Sequence, residues 1–306
     1  MDDYKVIGDR LSNCGRWGAE DQRGTLNFIT PERILEASRC LRTGKVFELS
    51  IPLGADGPQS GPGGRINPLH FMTLMPTDDL HLGGGINISD DFISMPLQGA
   101  TQWDSLAHVG YDDVFYNNVP VHSVMARGGA SRNAIDKALP GIVGRGVLVD
   151  VARARGVEWM QPGEGIEPDE LDAVLAAQGV EVSSGDILAV RTGWRRKALV
   201  DGWENWMAGN PGLGLACAEW LHDKEIAAVV SDNWCIEVQP SAEGTGVLPL
   251  HCVLIRDLGM MLGEILDLEE LAEDCASDGV WEFFLAAPPL RVVGGVGSPV
   301  SPLAMK

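Results

Sequence analysis

From residue 146 to residue 230, short apolar runs alternate with helix-like segments, and this alternation restricts the folds open to the chain more than any other feature. Gly146-Val147-Leu148-Val149-Asp150-Val151 has the pattern of a buried strand. Pro168 to Ala177 reads as a helix with acids in its first turn and Gly179 as its stop. Gly185 to Trp194 gives a second strand, Leu215 to Asp223 a second helix, and Ile226 to Val230 a third strand. With no composition break or linker between them, these segments predict one α/β domain with a mixed sheet. Upstream, residues 1–29 read as an irregular arm. Thr30 then serves as an N-cap, with Pro31 at the first helical position and Gly44 past the end. The expected organisation is therefore an arm and helix over residues 1–44, packed on a body formed by residues 45–306. In that body Val46 to Pro52 is a strand and Gly54 to Pro68, rich in Gly and Pro, is a long surface loop of the kind that often serves function. Asp267 and Glu270 suggest a capping box, and Phe283 to Ala286 and Leu290 to Val293 are closing strands.

Charge removes several classes of function. With 43 acidic against 23 basic residues the net charge is −20, which repels phosphate backbones and anionic lipid heads, so neither nucleic acid nor membrane is an expected partner. The first residues lack a signal-peptide pattern and no apolar run approaches the ~18 residues of a span, so the expected compartment is the cytoplasm. Six cysteines without a C-x-x-C pair fit reduced thiols. Gly141, Gly144 and Gly146 precede a strand where a dinucleotide fingerprint follows one. Neither a G-x-S-x-G elbow nor a phosphate loop is present.

Metal-assisted chemistry remains, and it points to one stretch. In Gln98-Gly99-Ala100-Thr101-Gln102-Trp103-Asp104-Ser105-Leu106-Ala107-His108, four polar side chains stand at spacings that no single helix face accommodates. A bend at Gly99 and Thr101, from an extended segment into a helix, brings them to one volume. Asp104 is a hard, charged oxygen donor, and His108 is the nearby group suited to proton transfer near neutrality. Gln98 and Gln102 offer neutral carbonyl oxygens, which suit Mn²⁺, Mg²⁺ or Ca²⁺ better than zinc. His251 and Glu264 form a further downstream pair. Trp103, by alternation, faces the core. Trp203 and Trp206 are candidate walls of an aromatic substrate pocket, as is the segment from Val109 to Pro120. His81 could approach the site from its glycine-rich loop, whereas His70, His122 and His222 read as structural or solvated.

The stretch resembles the signature H-x-G-T-H-x-D-x-P-x-H of the cyclase family that includes bacterial kynurenine formamidase and isatin hydrolase. The resemblance extends to Gly185-Asp186-Ile187-Leu188, Arg191-Thr192-Gly193-Trp194, the His251 and Glu264 segments, and Gly297-Ser298-Pro299-Val300, spanning roughly residues 45 to 300. It implies a hydrolase that opens an amide, lactam, imide or lactone bond with metal-activated water, on a swivelling β/β/α fold assembled as a homodimer or homotetramer. By position it makes Gln98, Gln102 and Asp104 metal-ligand places, His108 the catalytic acid/base, and His251 and Glu264 further ligands. Both signature histidines are glutamine here. Asp104 and Glu264 supply two negative charges, enough to balance one divalent ion, so the expectation is a single metal, Mn²⁺ before Zn²⁺. The alternative is a metal-free cyclase or lyase-like enzyme, or a small-molecule binding protein, on the same scaffold.

Overall fold

Val147 and Val149 belong to one hydrophobic cluster and Leu148 to another, and the same split recurs in Leu188 and Val190 against Ile187 and Ala189. Alternation of this kind places a sheet with both faces buried at the centre of the molecule. The computed structural model describes residues 4–61, 64–78, 84–242 and 246–306. His81, Leu82 and Gly83 lie outside the described residues.

The strands used below are, in chain order, Val46–Glu48 (β1), Leu69–Leu74 (β2), Asp90–Ser94 (β3), Gln102–Asp104 (β4), Val143–Asp150 (β5), Ile187–Arg191 (β6), Ala228–Ser231 (β7), Met261–Glu264 (β8), Glu282–Ala286 (β9), Gly297–Pro299 (β10) and Leu303–Met305 (β11). Among the described residues they form a nine-stranded sheet, in the order β1-β11-β9-β5-β6-β7-β8-β4-β10, and a separate β2–β3 hairpin. The middle strands β5, β6, β7 and β8 are parallel, and every pairing outside them is antiparallel. The sheet is thus mixed within one α/β body, as the alternation predicts.

The longer helices are Tyr4–Leu11 (α1), Pro31–Ala37 (α2), Pro168–Gln178 (α3), Trp194–Asp201 (α4), Cys217–Asp223 (α5) and Glu269–Asp278 (α6). In α2 the Thr30 side chain accepts from Arg33 N–H with Pro31 in the first turn, and α3 ends on Gly179 in the left-handed conformation. Three expectations need correcting. The arm is not wholly irregular, since α1 forms there and rests on a wide, π-type helix over Cys252–Leu258. The expected strand at Leu290 to Val293 does not form, and Leu290 and Val293 are exposed, while β10 starts at Gly297. At α6 the cap is Leu268 rather than Asp267, whose carboxylate is held by Arg195 at 2.8 Å and takes the Glu269 N–H at 3.3 Å.

Candidate active site

β4 lies between β8 and β10, with Gln102 opposite Glu264, Trp103 opposite Gly263 and Asp104 opposite Leu262. Side chains alternate along a strand, so Trp103 enters the core, where its indole N–H donates to the Ala287 carbonyl at 2.9 Å. Gln102 and Asp104 share the other face, both buried. Two glycines make this arrangement fit. A Cβ on Gly263 would stand 2.6 Å from Val230 Cγ1 and 3.0 Å from Trp103 Cζ3, and one on Gly297 would stand 2.4 Å from Gln98 Nε2. Thr101 fastens the strand in register, its Oγ1 accepting from Ile51 N–H at 2.9 Å and donating to the Ile265 carbonyl at 2.5 Å.

The expected helix after Asp104 is absent. Ser105 to His108 is a turn, closed by His108 N–H to the Ser105 carbonyl at 3.0 Å, because Ser105 Oγ takes the Ala107 N–H at 3.2 Å and competes with helical pairing. His108 Nε2 comes to 3.6 Å from Asp104 Oδ2, and its Nδ1 to 3.5 Å from Gln98 Nε2.

His251 and Glu264 arrive on different elements. Glu264 ends β8, where Gln102 Nε2 donates to its Oε2 at 2.8 Å, and His251 Nε2 lies 3.2 Å from its Oε1. On the far side of the imidazole, Glu237 Oε1 accepts from His251 Nδ1 at 2.5 Å and from the His251 backbone N–H at 2.9 Å, while Oε2 takes Leu250 N–H at 3.2 Å. Ligand-capable atoms of Asp104, His251 and Glu264 all lie within 4.8 Å of one another, as do those of Cys235, Glu237 and His251. Gln102 joins the first group through Glu264, whereas Gln98 meets His108 instead.

Glu237 and Cys235 carry no motif and escape a reading by pattern. The one signal in the sequence is a lone acid between Ile236 and Val238, just beyond an apolar strand. The backbone marks it more clearly: Ile236, before Glu237, and Ile265, after Glu264, hold φ of 50° and 59°. Left-handed backbone is unfavourable for β-branched residues and concentrates at functional sites.

The site is short of positive charge. Burial and then the charge of Asp104 raise the Glu264 carboxyl above its ordinary value, with His251 and Arg65 opposing. Burial alone would strip His251 of its proton, but the hydrogen bonds to Glu237 and Glu264 outweigh it and raise the imidazole to about 10. His108 is lowered, first by burial and then by Arg65 and His251, against the pull of Asp104. Asp104 Oδ1 and Gln102 Oε1 are buried without a hydrogen-bond partner. Orphaned acceptors beside two carboxylates and an imidazole are the donor set of a hard divalent cation, so the residues fit one ion.

In the aromatic segment after His108, Tyr116 and Asn117 turn to the N-terminal arm. Tyr116 donates to Asp21 at 3.0 Å, and Asn117 Nδ2 donates to the carbonyls of Gly18, Ala19 and Asp21, so the segment fastens the arm whose turn needs those donors. Trp206 is fully buried and Trp203 partly so, in a cluster with Trp194, Ala100 and Ile265 that adjoins the site strands. His70 pairs with Asp91 at 2.8 Å and His222 with Asp223 at 3.0 Å, and His122 is exposed. The six cysteines are free, and among the described residues no helix is long and apolar enough to cross a membrane.

Fold and site together define a class: a mixed α/β sheet with a buried carboxylate–imidazole cluster where an antiparallel strand meets the parallel core. The chain belongs to the family Cyclase, described as "Putative cyclase", which it matches over residues 47–238. A crystal structure described as a novel cyclase is 41% identical, with a TM-score of 0.90, covering 97% of this chain and 100% of that one. Isatin hydrolase A from Ralstonia solanacearum is 19% identical at a TM-score of 0.64, covering 90% of this chain and 98% of the other. A structure described as a predicted metal-dependent hydrolase from Bacillus stearothermophilus is 17% identical at a TM-score of 0.52, covering 86% and 98%. These last two share the fold. The chain is also 29% identical over 125 residues to a DNA gyrase polypeptide from Chlamydia pneumoniae, a match to 41% of this chain and only 15% of that protein.

Proposed function

We propose that this chain is a metal-dependent hydrolase that opens a C–N bond of a small cyclic or aryl amide, imide or lactam, or the acyl bond of a lactone. One observation carries the reading: Asp104, Glu264 and His251 converge within 4.8 Å beside two orphaned oxygens, with a neutral His108 at the rim. Asp104, His251 and Glu264 would hold the ion with the amide oxygen of Gln102, and Gln98 is assigned instead to positioning His108. The oxygen-rich set favours Mn²⁺ over Zn²⁺. When bound, such an ion supplies a lowered water pKa and a polarised carbonyl. His108 takes the proton from the attacking water and returns one to the leaving group, and Asp104, 3.6 Å away, orients its ring. The names of the isatin hydrolase and of the metal-dependent hydrolase that share the fold support the same class.

The test pairs metal analysis with turnover. After chelation and reconstitution the protein should bind one Mn²⁺ or Zn²⁺ per chain and hydrolyse formanilide or a related aryl amide. His108→Ala should keep the metal and lose activity by a factor on the order of 10² to 10⁴. Unchanged turnover in that variant removes His108 from the mechanism. A second reading has its own support, since His251 is hydrogen-bonded by carboxylates on both sides and Gln102 by Glu264. A metal-free lyase-like enzyme or binding protein would keep those bonds, and near-zero metal under saturating conditions would favour it.

The assembly in this reading is a homo-oligomer of two or four chains. The β2–β3 hairpin exposes Phe71, Met72, Phe92 and Ile93, and a two-stranded ribbon is marginal by itself in water. A second copy covering it removes that cost. Cytoplasmic residence belongs to the same reading.

A further inference from the structure

Arg65 has no hydrogen-bonding or ion-pair partner among the described residues, although it is half-buried. The chain just after it is tied down. Asn67 Oδ1 accepts from Gln59 N–H at 2.8 Å, and Asn67 Nδ2 donates to the Ala55 and Gly57 carbonyls at 3.2 and 3.1 Å. Gln59 Nε2 in turn donates to the carbonyls of Gln98 at 3.4 Å and Gly99 at 3.2 Å, the turn that opens the site stretch. The Ile66 carbonyl is 3.7 Å from where a Cβ on Gly99 would lie, so Arg65 leaves the chain one residue from contact with that turn.

Its charge is felt by His108, Glu264 and Cys235, three groups delivered by three separate segments. Coulomb interactions weaken with distance, so a charge acting on all three lies near the site, as the contact of its segment with the Gln98–Gly99 turn requires. Yet Arg65 closes no ion pair with Asp104 or Glu264, as a residue kept only to neutralise them would. An unpaired guanidinium is a fork of donors shaped for a carboxylate. On a chain of net charge −20, which repels anions in general, a half-buried cation beside the site stretch, unpaired among the described residues, favours them.

We propose that Arg65 is the anion-recognition residue of this site and that the substrate carries a carboxylate, or an equivalent single anion, beside the bond that opens. The proposal rests on the hydrolase reading above for the bond and adds the charge of the molecule that bears it. The tryptophan cluster adjoining Ala100 and Ile265 supplies an apolar flank, so an aromatic acid is the simplest occupant.

Benzoate and benzamide, which share a ring and differ in charge, are the probes. Isothermal titration of the purified protein should show benzoate binding about 10- to 100-fold more tightly, the size of a charge-assisted contact. In Arg65→Gln the two affinities should come within about two-fold of each other, and Arg65→Lys should restore part of the preference. Equal binding of the two by the wild type, no benzoate binding at millimolar concentration, or a preference that survives in Arg65→Gln would each overturn the proposal. Hydrolysis of N-formylanthranilate against formanilide, run in parallel, tests the hydrolase reading separately: loss of turnover on both sinks that reading, while the binding ratio still decides the role of Arg65.

Discussion

Glu237 spends both carboxylate oxygens on the segment that carries His251, taking the Nδ1 proton and the backbone N–H groups of Leu250 and His251. The imidazole is thereby held with Nε2 toward Glu264, in the way carboxylates behind ligating histidines fix tautomer and ring angle. Glu237→Gln keeps the size but puts an amide N–H₂ where an acceptor is needed. Mn²⁺ affinity measured by chelator competition should fall by about 10- to 100-fold, with the fold retained. An affinity equal to that of the wild type would mean that Glu237 serves packing alone.

At the scale of elements, α6 is held by Lys306, whose Nζ lies 2.8 and 2.9 Å from the Asp278 carboxylate and 3.1 Å from Asp274, with Lys45 also on Asp274. Burial opposes the Lys306 ammonium, but these bonds raise it above 10.5. Asp274 is lowered from 3.8, chiefly by Lys45 and then by Lys306, and Asp278, which burial alone would raise, is lowered by Lys306. Carboxylates with depressed folded values stabilise fully above their unfolded value and lose that contribution as pH falls through the folded one. Asp278→Asn should therefore melt about 2 °C lower, a cost on the order of 1 kcal/mol, with a constant gap from about pH 5 to 9 that closes below about pH 4. A gap that widens in acid contradicts the pairing.

The elements also show what could be read in advance. β5, β6, β7 and α3 were legible because buried apolar runs and a Pro-to-Gly bracket leave few alternatives. Asp104 and His108 were legible as residue types at a spacing, and His251 and Glu264 through the family resemblance. The turn at Ser105, the loop that brings Glu237 under His251 and the Arg65 segment were not, since each depends on contacts between distant parts of the chain. Leu290 and Val293 misled for the opposite reason, being strand-formers with no partner edge.

At the scale of the molecule, the exposed hairpin and the acidic surface pull in opposite directions, one toward association and the other toward separation. On the proposed assembly, Phe71→Glu combined with Phe92→Glu should leave a monomer in light scattering coupled to size exclusion where the wild type runs as two or four chains. A wild type that is already monomeric at micromolar concentration would remove the hairpin as an interface.

Gln102 and Glu264 touch across β4 and β8, although 162 residues separate them in the chain. Most of the parallel core lies between them, so their meeting must await its assembly, and the loop-closure entropy falls due late. Any species that binds at this cluster therefore recognises finished molecules alone. By mass action it lends its binding free energy to the entire fold, so its concentration in the cell would govern how long each newly made chain survives as well as how fast it works.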